Sequence, residues 1–190
     1  METIHKKQLL ETLENRVEGH LAVAIHQFQN LTEKELLQPA INGGWSIAQC
    51  LKHLNSYGDF YLPQIDKRLK VPVNQLTKDT FKSSWLGNYF IKMMEPTTGK
   101  KKYKAFKGHI PAPELDAYAV VATFIEQQEQ LLTLLKKAEK VNLNAIRIPI
   151  SITRFIQLKL GDVFQFIIAH NERHIQQAIR VHKQENYQLD

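Results

Sequence analysis

Three histidines carry the chemistry that this sequence offers. His170 and His174 stand four apart in the run His170-Asn171-Glu172-Arg173-His174. On a helix that spacing places two Cβ atoms ~5 to 6 Å apart on one face, so both rings can reach one ion at ~2.0 to 2.1 Å. Both also fall in the stripe Val163, Ile167, His170, His174, Ala178 and Val181, whose other members are apolar, so helical periodicity assigns the two imidazoles to the core. Burying two rings there costs roughly several kcal/mol unless a metal or a hydrogen-bond network satisfies them. His53 is the best third ligand: it shares a helix side with Cys50, Tyr57 and Phe60 and adjoins the stripe of Ile47, Leu51 and Leu54. Three neutral imidazoles suit Zn²⁺, Ni²⁺ or Fe²⁺ and leave at least one coordination position open for water or substrate. One divalent metal ion is therefore the expected cofactor, with His53, His170 and His174 as its ligands.

The neighbouring residues limit the chemistry. Glu172 falls one place too late for the zincin pattern H-E-x-x-H, so it is not assigned as a general base, and a surface or helix-pairing role is expected for it and for Arg173. A metalloprotease is disfavoured on that ground. The five other histidines (His5, His20, His26, His109 and His182) read as non-ligands; His20 and His26, six apart, do not share a helix face. Cys50, one turn before His53, is either a soft ligand or, as free cysteines commonly are, a small buried hydrophobe. Gln177, one turn after His174, is either a partner of that ring or solvated. Tyr57, Tyr61 and Trp85 are candidates for the wall facing the metal. No catalytic residue is assigned.

A chain of 190 residues with 43% hydrophobic and 23% charged content fits one globular domain spanning residues 1–190. A single cysteine excludes an intrachain disulfide and a cysteine-rich zinc site. No apolar run approaches the ~18 to 20 residues that span a bilayer, and residues 1–10 lack the apolar segment of a secretory signal, so a cytoplasmic protein is expected. The net charge of +6 mildly favours anionic partners. Its densest contribution is Lys100, Lys101, Lys102, Lys104 and Lys107, interleaved with Tyr103 and Phe106. Such a cluster can contact phosphates, but a solvated loop is the simpler reading and nucleic acid is not the expected partner.

Four helices must position the histidines. Residues 2–30 repeat apolar residues at helical spacing (Ile4, Leu9, Leu13, Val17, Leu21, Ile25, Phe28). Thr32 with Glu35 and Ser46 with Gln49 form two capping boxes, the first opening a short helix and the second a long one to about Leu69 that carries His53. Residues 71–76 read as a connection, and residues 78–95 as a less regular, partly helical excursion before the basic loop. Pro111 and Pro113 introduce a third long helix over residues 114–140. Residues 142–150 read as turns, residues 151–160 suit either a strand or a short helix, and a last helix runs to about Gln184 with Asp162 as N-cap. No alternation is sustained enough to predict a sheet. The expectation is an all-α four-helix bundle with at least one long crossover.

The order Trp45-Ser46-Ile47-Ala48-Gln49 leading to His53-Leu54, then Leu160-Gly161-Asp162 leading to His170-Asn171-Glu172-Arg173-His174-Ile175-Gln176-Gln177, resembles the DinB/YfiT-like superfamily of metalloenzymes. The resemblance implies an up-down-down-up bundle, a metal site at His53, His170 and His174, and a homodimer. It also implies a metal-dependent transferase that activates a low-molecular-weight thiol, such as bacillithiol or mycothiol, for attack on an electrophile. The alternatives are a metal-dependent hydrolase of a small-molecule substrate and a non-catalytic metal or small-molecule binding module. The segment 82–109 matches no motif of the resemblance.

Overall fold

The structure, a computed structural model, describes residues 2–41, 43–71, 77–97 and 104–186. Pro72, Lys100, Lys101, Lys102 and Tyr103 of the connections read above lie outside the described residues. Among the described residues, four long helices form the bundle: α1 (Lys6–Val23), α3 (Ile47–Leu69), α5 (Ala117–Ala138) and α6 (Leu160–Asn186). Two short ones, α2 (Glu33–Leu37) and α4 (Trp85–Met94), lie in the connections.

Side-chain pairs give the helix directions. Lys6, at the start of α1, donates to the carbonyl of Glu139 at the end of α5, so these two helices are antiparallel. Asn55 bonds the Val120 carbonyl and Lys137 pairs with Asp66, so α3 and α5 run parallel. His53 meets His170 while Tyr61, further along α3, meets Phe166, so α3 and α6 are antiparallel. The result is up-down-down-up. Two parallel helices need a long connection, and the crossover from α3 to α5 contains strand β2 (Thr80–Lys82), α4 and a 3₁₀ turn, Lys107–His109.

The helix that carries His53 has its phase set at its start. Gln49 N–H donates to Ser46 Oγ (3.1 Å) and Ser46 N–H donates to Gln49 Oε1 (3.0 Å), the predicted capping box. Thr32 and Glu35 do the same for α2. Each cap is worth about 1 kcal/mol. Beyond Ser46, Ile47, Ala48, Cys50, Leu51, His53, Leu54, Tyr57, Gly58, Tyr61, Leu62 and Ile65 are buried, a broad inward face that includes the histidine.

Several boundaries differ from the sequence reading. Residues 3–5 are strand β1 (Thr3–His5), paired antiparallel with β2, rather than the start of α1. A π-helical segment, Ala24–Phe28, follows Val23 where a continuous α-helix was expected. Strands β3 (Arg147–Ile150) and β4 (Thr153–Lys159) form a hairpin, which resolves residues 151–160 in favour of strand. The expectation of no sheet is corrected: among the described residues, two two-stranded sheets flank the bundle. β1 and β2 are three residues each and pair across some 77 positions of chain (Thr80↔His5, Lys82↔Thr3), too short and too distant to leave a periodic signal. Asp162 is not an N-cap, because α6 begins at Leu160. Its buried carboxylate accepts from Ser84 N–H (3.1 Å) and Ser84 Oγ (2.7 Å), tying the first turn of α6 to the start of α4.

The core has two apolar halves. One contains Leu10, Leu13, Tyr57, Tyr61, Ile65, Phe81, Phe164 and Ile167, and the other Phe28, Leu36, Ile47, Leu51, Leu54, Phe124 and Ile175. Between them, His53, Asn55, Gln127, Gln128, His170 and Asn171 are buried as a polar layer across the bundle. Asn171 donates to Gln128 Oε1 (3.1 Å), and Gln127 donates to the Asn55 carbonyl (3.2 Å) and to Asp59 (2.8 Å). Among the described residues, no helix is long and apolar enough to cross a membrane.

The close contact of α6 with β2 generates a test. A Cβ added at Gly161 would lie 2.5 Å from the ring of Phe81, which is fully buried and has nowhere to move. Gly161→Ala should lower unfolding stability by about 1 to 3 kcal/mol, read as a lower urea midpoint at unchanged slope.

Candidate metal centre

His53 comes from the second turn of α3, and His170 and His174 from successive turns of α6. One nitrogen from each lies within 4.8 Å of the other two. Three ligands at ~2.0 to 2.1 Å from one ion stand at most about 4.2 Å apart, so small ring rotations close the set. His53 Nε2 and His170 Nε2 are already 3.2 Å apart. Ring centroids are 4.7 Å apart for His53 and His174, 4.8 Å for His170 and His174, and 5.0 Å for His53 and His170.

Hydrogen bonds on the far side of two rings aim their lone pairs inward. His53 Nδ1 lies 2.7 Å from the carbonyl oxygen of His109, and His174 Nδ1 lies 3.0 Å from Gln177 Oε1. A carbonyl only accepts, so each Nδ1 carries the proton and each Nε2 is left as a donor of electrons. His170 Nδ1 is buried without a partner among the described residues. With its own proton on Nδ1, His53 turns an Nε2 lone pair toward His170 Nε2 at 3.2 Å, where either the His170 Nε2–H or a metal ion satisfies it. Three nitrogen donors so disposed fit a metal ion.

Burial keeps these imidazoles neutral, the form that ligates. Desolvation pushes His53 down to about 4 and His174 to about 3, and it moves His170 well below its ordinary value, with the neighbouring rings adding to the shift for His170 and His174. Trp45 and Tyr57 wall the group: Trp45 lies 4.9 Å from His53 and 5.8 Å from His174, and Tyr57 lies 4.4 Å from His170. Burial raises the Tyr57 phenol to about 12, so it stays protonated.

The other sequence candidates separate cleanly. Tyr61 is buried and its hydroxyl accepts from Ser151 N–H, which anchors the β3–β4 hairpin rather than the histidines. Trp85 is 74% exposed and stacks on Tyr89, so it is corrected as a wall residue. Cys50 is fully buried, with its thiol pushed up to about 12 by desolvation, as a small hydrophobe would be. Gln177 partners His174. Glu172 turns from the centre and pairs with His20 on α1 (2.7 Å), the helix-pairing role expected of it; that hydrogen bond pulls its carboxyl down to about 2. Arg173 donates to the Met93 carbonyl at the end of α4.

The residue missed by the sequence reading is His109. It reads there only as a non-ligand, yet its ring stacks on Tyr57 at 3.9 Å and its carbonyl bonds His53. It stands 56 positions from His53 in a segment without periodicity, so nothing in the local pattern marks it.

A sequence model of the DinB superfamily matches residues 16–178. YfiT from Bacillus subtilis, described as a probable metal-dependent hydrolase with an unusual four-helix bundle topology, has a similar solved structure. Its TM-score is 0.54 at 14% identity, over 95% of this chain and 87% of that one. No curated protein shows significant similarity to the chain.

Two outcomes follow from the electrostatics. In metal-free protein His53 and His174 protonate near 4 and 3 when folded but near 6.5 when unfolded, so the unfolded chain binds more protons across that interval. Stability should therefore fall as pH drops from about 6.5 through 4, measured as the urea midpoint, and the fall should shrink in His53→Gln/His174→Gln. Glu172→Gln should leave metal affinity nearly unchanged by chelator competition while lowering unfolding stability by about 1 to 3 kcal/mol through the His20 contact. A large loss of affinity would mean that Glu172 serves the centre.

Proposed function

The chain belongs to the DinB superfamily, and from that premise we propose that it is a metal-dependent hydrolase of a small-molecule substrate, built on His53, His170 and His174. The observation that carries this reading is the convergence of three neutral imidazoles, two with their protons held on Nδ1 by outer partners. The description of the structurally similar YfiT as a probable metal-dependent hydrolase supports it.

A divalent ion held by three imidazoles with a position left open supplies Lewis acidity, which polarises a carbonyl or phosphoryl oxygen and acidifies a nucleophile. The chain's own groups do the rest. His53, His170 and His174 would hold the ion as neutral ligands that add no charge of their own. Trp45 and Tyr57 exclude bulk water from one side and strengthen the local field. Cys50 supplies no nucleophile, because its thiol is buried and protonated. Glu172 is committed to His20 and Gln176. Transfer to a low-molecular-weight thiol, the first expectation from the sequence, uses the same ion, but no described residue around the centre favours a thiol over water.

The experiment compares metal-free protein with protein reloaded with Zn²⁺, Ni²⁺ or Fe²⁺ on small esters, amides and phosphomonoesters, with and without a low-molecular-weight thiol. The expected result is turnover that requires metal, ignores thiol and falls to the uncatalysed level in His170→Ala. Turnover only with thiol present would replace hydrolysis by thiol transfer. Bound metal without turnover on any class would make the chain a binding module.

A further inference from the structure

We propose that His109 is a positioning residue that latches the 107–109 turn onto α3 and thereby fixes His53 in the tautomer that can ligate. The proposal deepens the metal reading above and rests on it. It begins with a proton count at Ser56. Ser56 Oγ lies 2.6 Å from the carbonyl oxygen of His53, so the hydroxyl's single proton is given to that carbonyl. The same Oγ lies 2.8 Å from His109 Nδ1 and must therefore accept, which places a proton on Nδ1 of His109.

The return bond comes from the backbone. The His109 carbonyl lies 2.7 Å from His53 Nδ1, so His53 also carries its proton on Nδ1 and presents Nε2 to His170 and His174. Residues 53 and 56 lie one helical turn apart, and His109 spans them with its carbonyl on one and its ring on the other. Tyr57 completes the seat: its ring stacks on His109 (3.9 Å, 24°) while its edge contact with His170 is 4.4 Å. The turn is closed by His109 N–H donating to the Phe106 carbonyl (2.8 Å).

This arrangement differs from that of the other two ligands. His174 is oriented by Gln177 of its own helix, and His170 Nδ1 has no partner among the described residues. Among the described residues, His53 is the one of the three whose outer nitrogen is hydrogen-bonded by another element, the crossover. Metal binding and docking of the turn are then coupled reciprocally, because each stabilises the same His53 tautomer. Losing an outer hydrogen-bond partner of a metal-bound imidazole typically weakens affinity ~10- to 100-fold.

The test uses Ser56→Ala, His109→Ala and His109→Asn in the full chain. The Asn side-chain amide can donate from near the position of Nδ1, so it keeps the bond to Ser56. Zn²⁺ affinity by chelator competition should fall ~10- to 100-fold in both Ala variants and return to within a few-fold of wild type in His109→Asn. In metal-free protein, two-bond ¹⁵N correlation spectra should show His53 protonated on Nδ1 in wild type and His109→Asn, and as a tautomer mixture in the Ala variants. Unchanged affinity and tautomer in both Ala variants, or His53 protonated on Nε2 in wild type, would overturn the latch. A wild type that binds no metal would sink the metal reading, while the tautomer spectra would still decide the latch.

Discussion

The pairing of two imidazole nitrogens 3.2 Å apart inside a helical bundle is the constraint around which this molecule is arranged. His53 and His170 are both buried, with apolar packing above and below, and a third ring completes the group. Polar atoms in such a place are tolerated only when satisfied. The rest of the layer meets that demand with amides: Asn55 to the Val120 carbonyl, Gln127 to Asn55 and Asp59, Asn171 to Gln128. The histidines have fewer protein partners: His53 Nε2 and His170 Nε2 face each other at 3.2 Å, and His170 Nδ1 has no partner among the described residues. A polar layer also restricts register, since sliding any one helix by a turn would set these groups against leucine.

The fold's less regular parts serve that layer. Parallel α3 and α5 force a long crossover, and the crossover brings His109 back over α3, where His53, Ser56 and Tyr57 receive it. Asp162 and Ser84 tie the crossover helix α4 to the first turn of α6, two and three turns before His170 and His174. His20 and Glu172 join α1 to α6 between His170 and His174 and keep that carboxylate away from the three rings. Membership of the DinB superfamily is thus matched by a site whose uncharged donors and outer partners suit metal chemistry.

Much of this was legible in the sequence because it rests on local rules. His170 and His174 fall on an apolar stripe at i, i+4, and their burial follows from periodicity alone. Ser46 with Gln49 marks the start of α3 and fixes His53 on its inner face. What was illegible depends on long-range contact. β1 and β2 are three-residue strands held by pairing across most of the first half of the chain. Asp162 looks like an N-cap because its type and position suit one, but Ser84, 78 positions away, claims its carboxylate. His109 acts through a backbone carbonyl, which no side-chain motif can reveal. Trp85 has the size of a pocket residue and lies on the surface instead.

Metal content tests the central claim most directly. Protein purified without a histidine tag, equilibrated with Zn²⁺ and freed of excess ion, should retain about one ion per chain. The variant His53→Ala/His170→Ala/His174→Ala, checked for an intact helical spectrum, should retain none. Equal metal in the two proteins, or no metal in the wild type, would contradict the account and leave the three imidazoles as a purely structural polar layer.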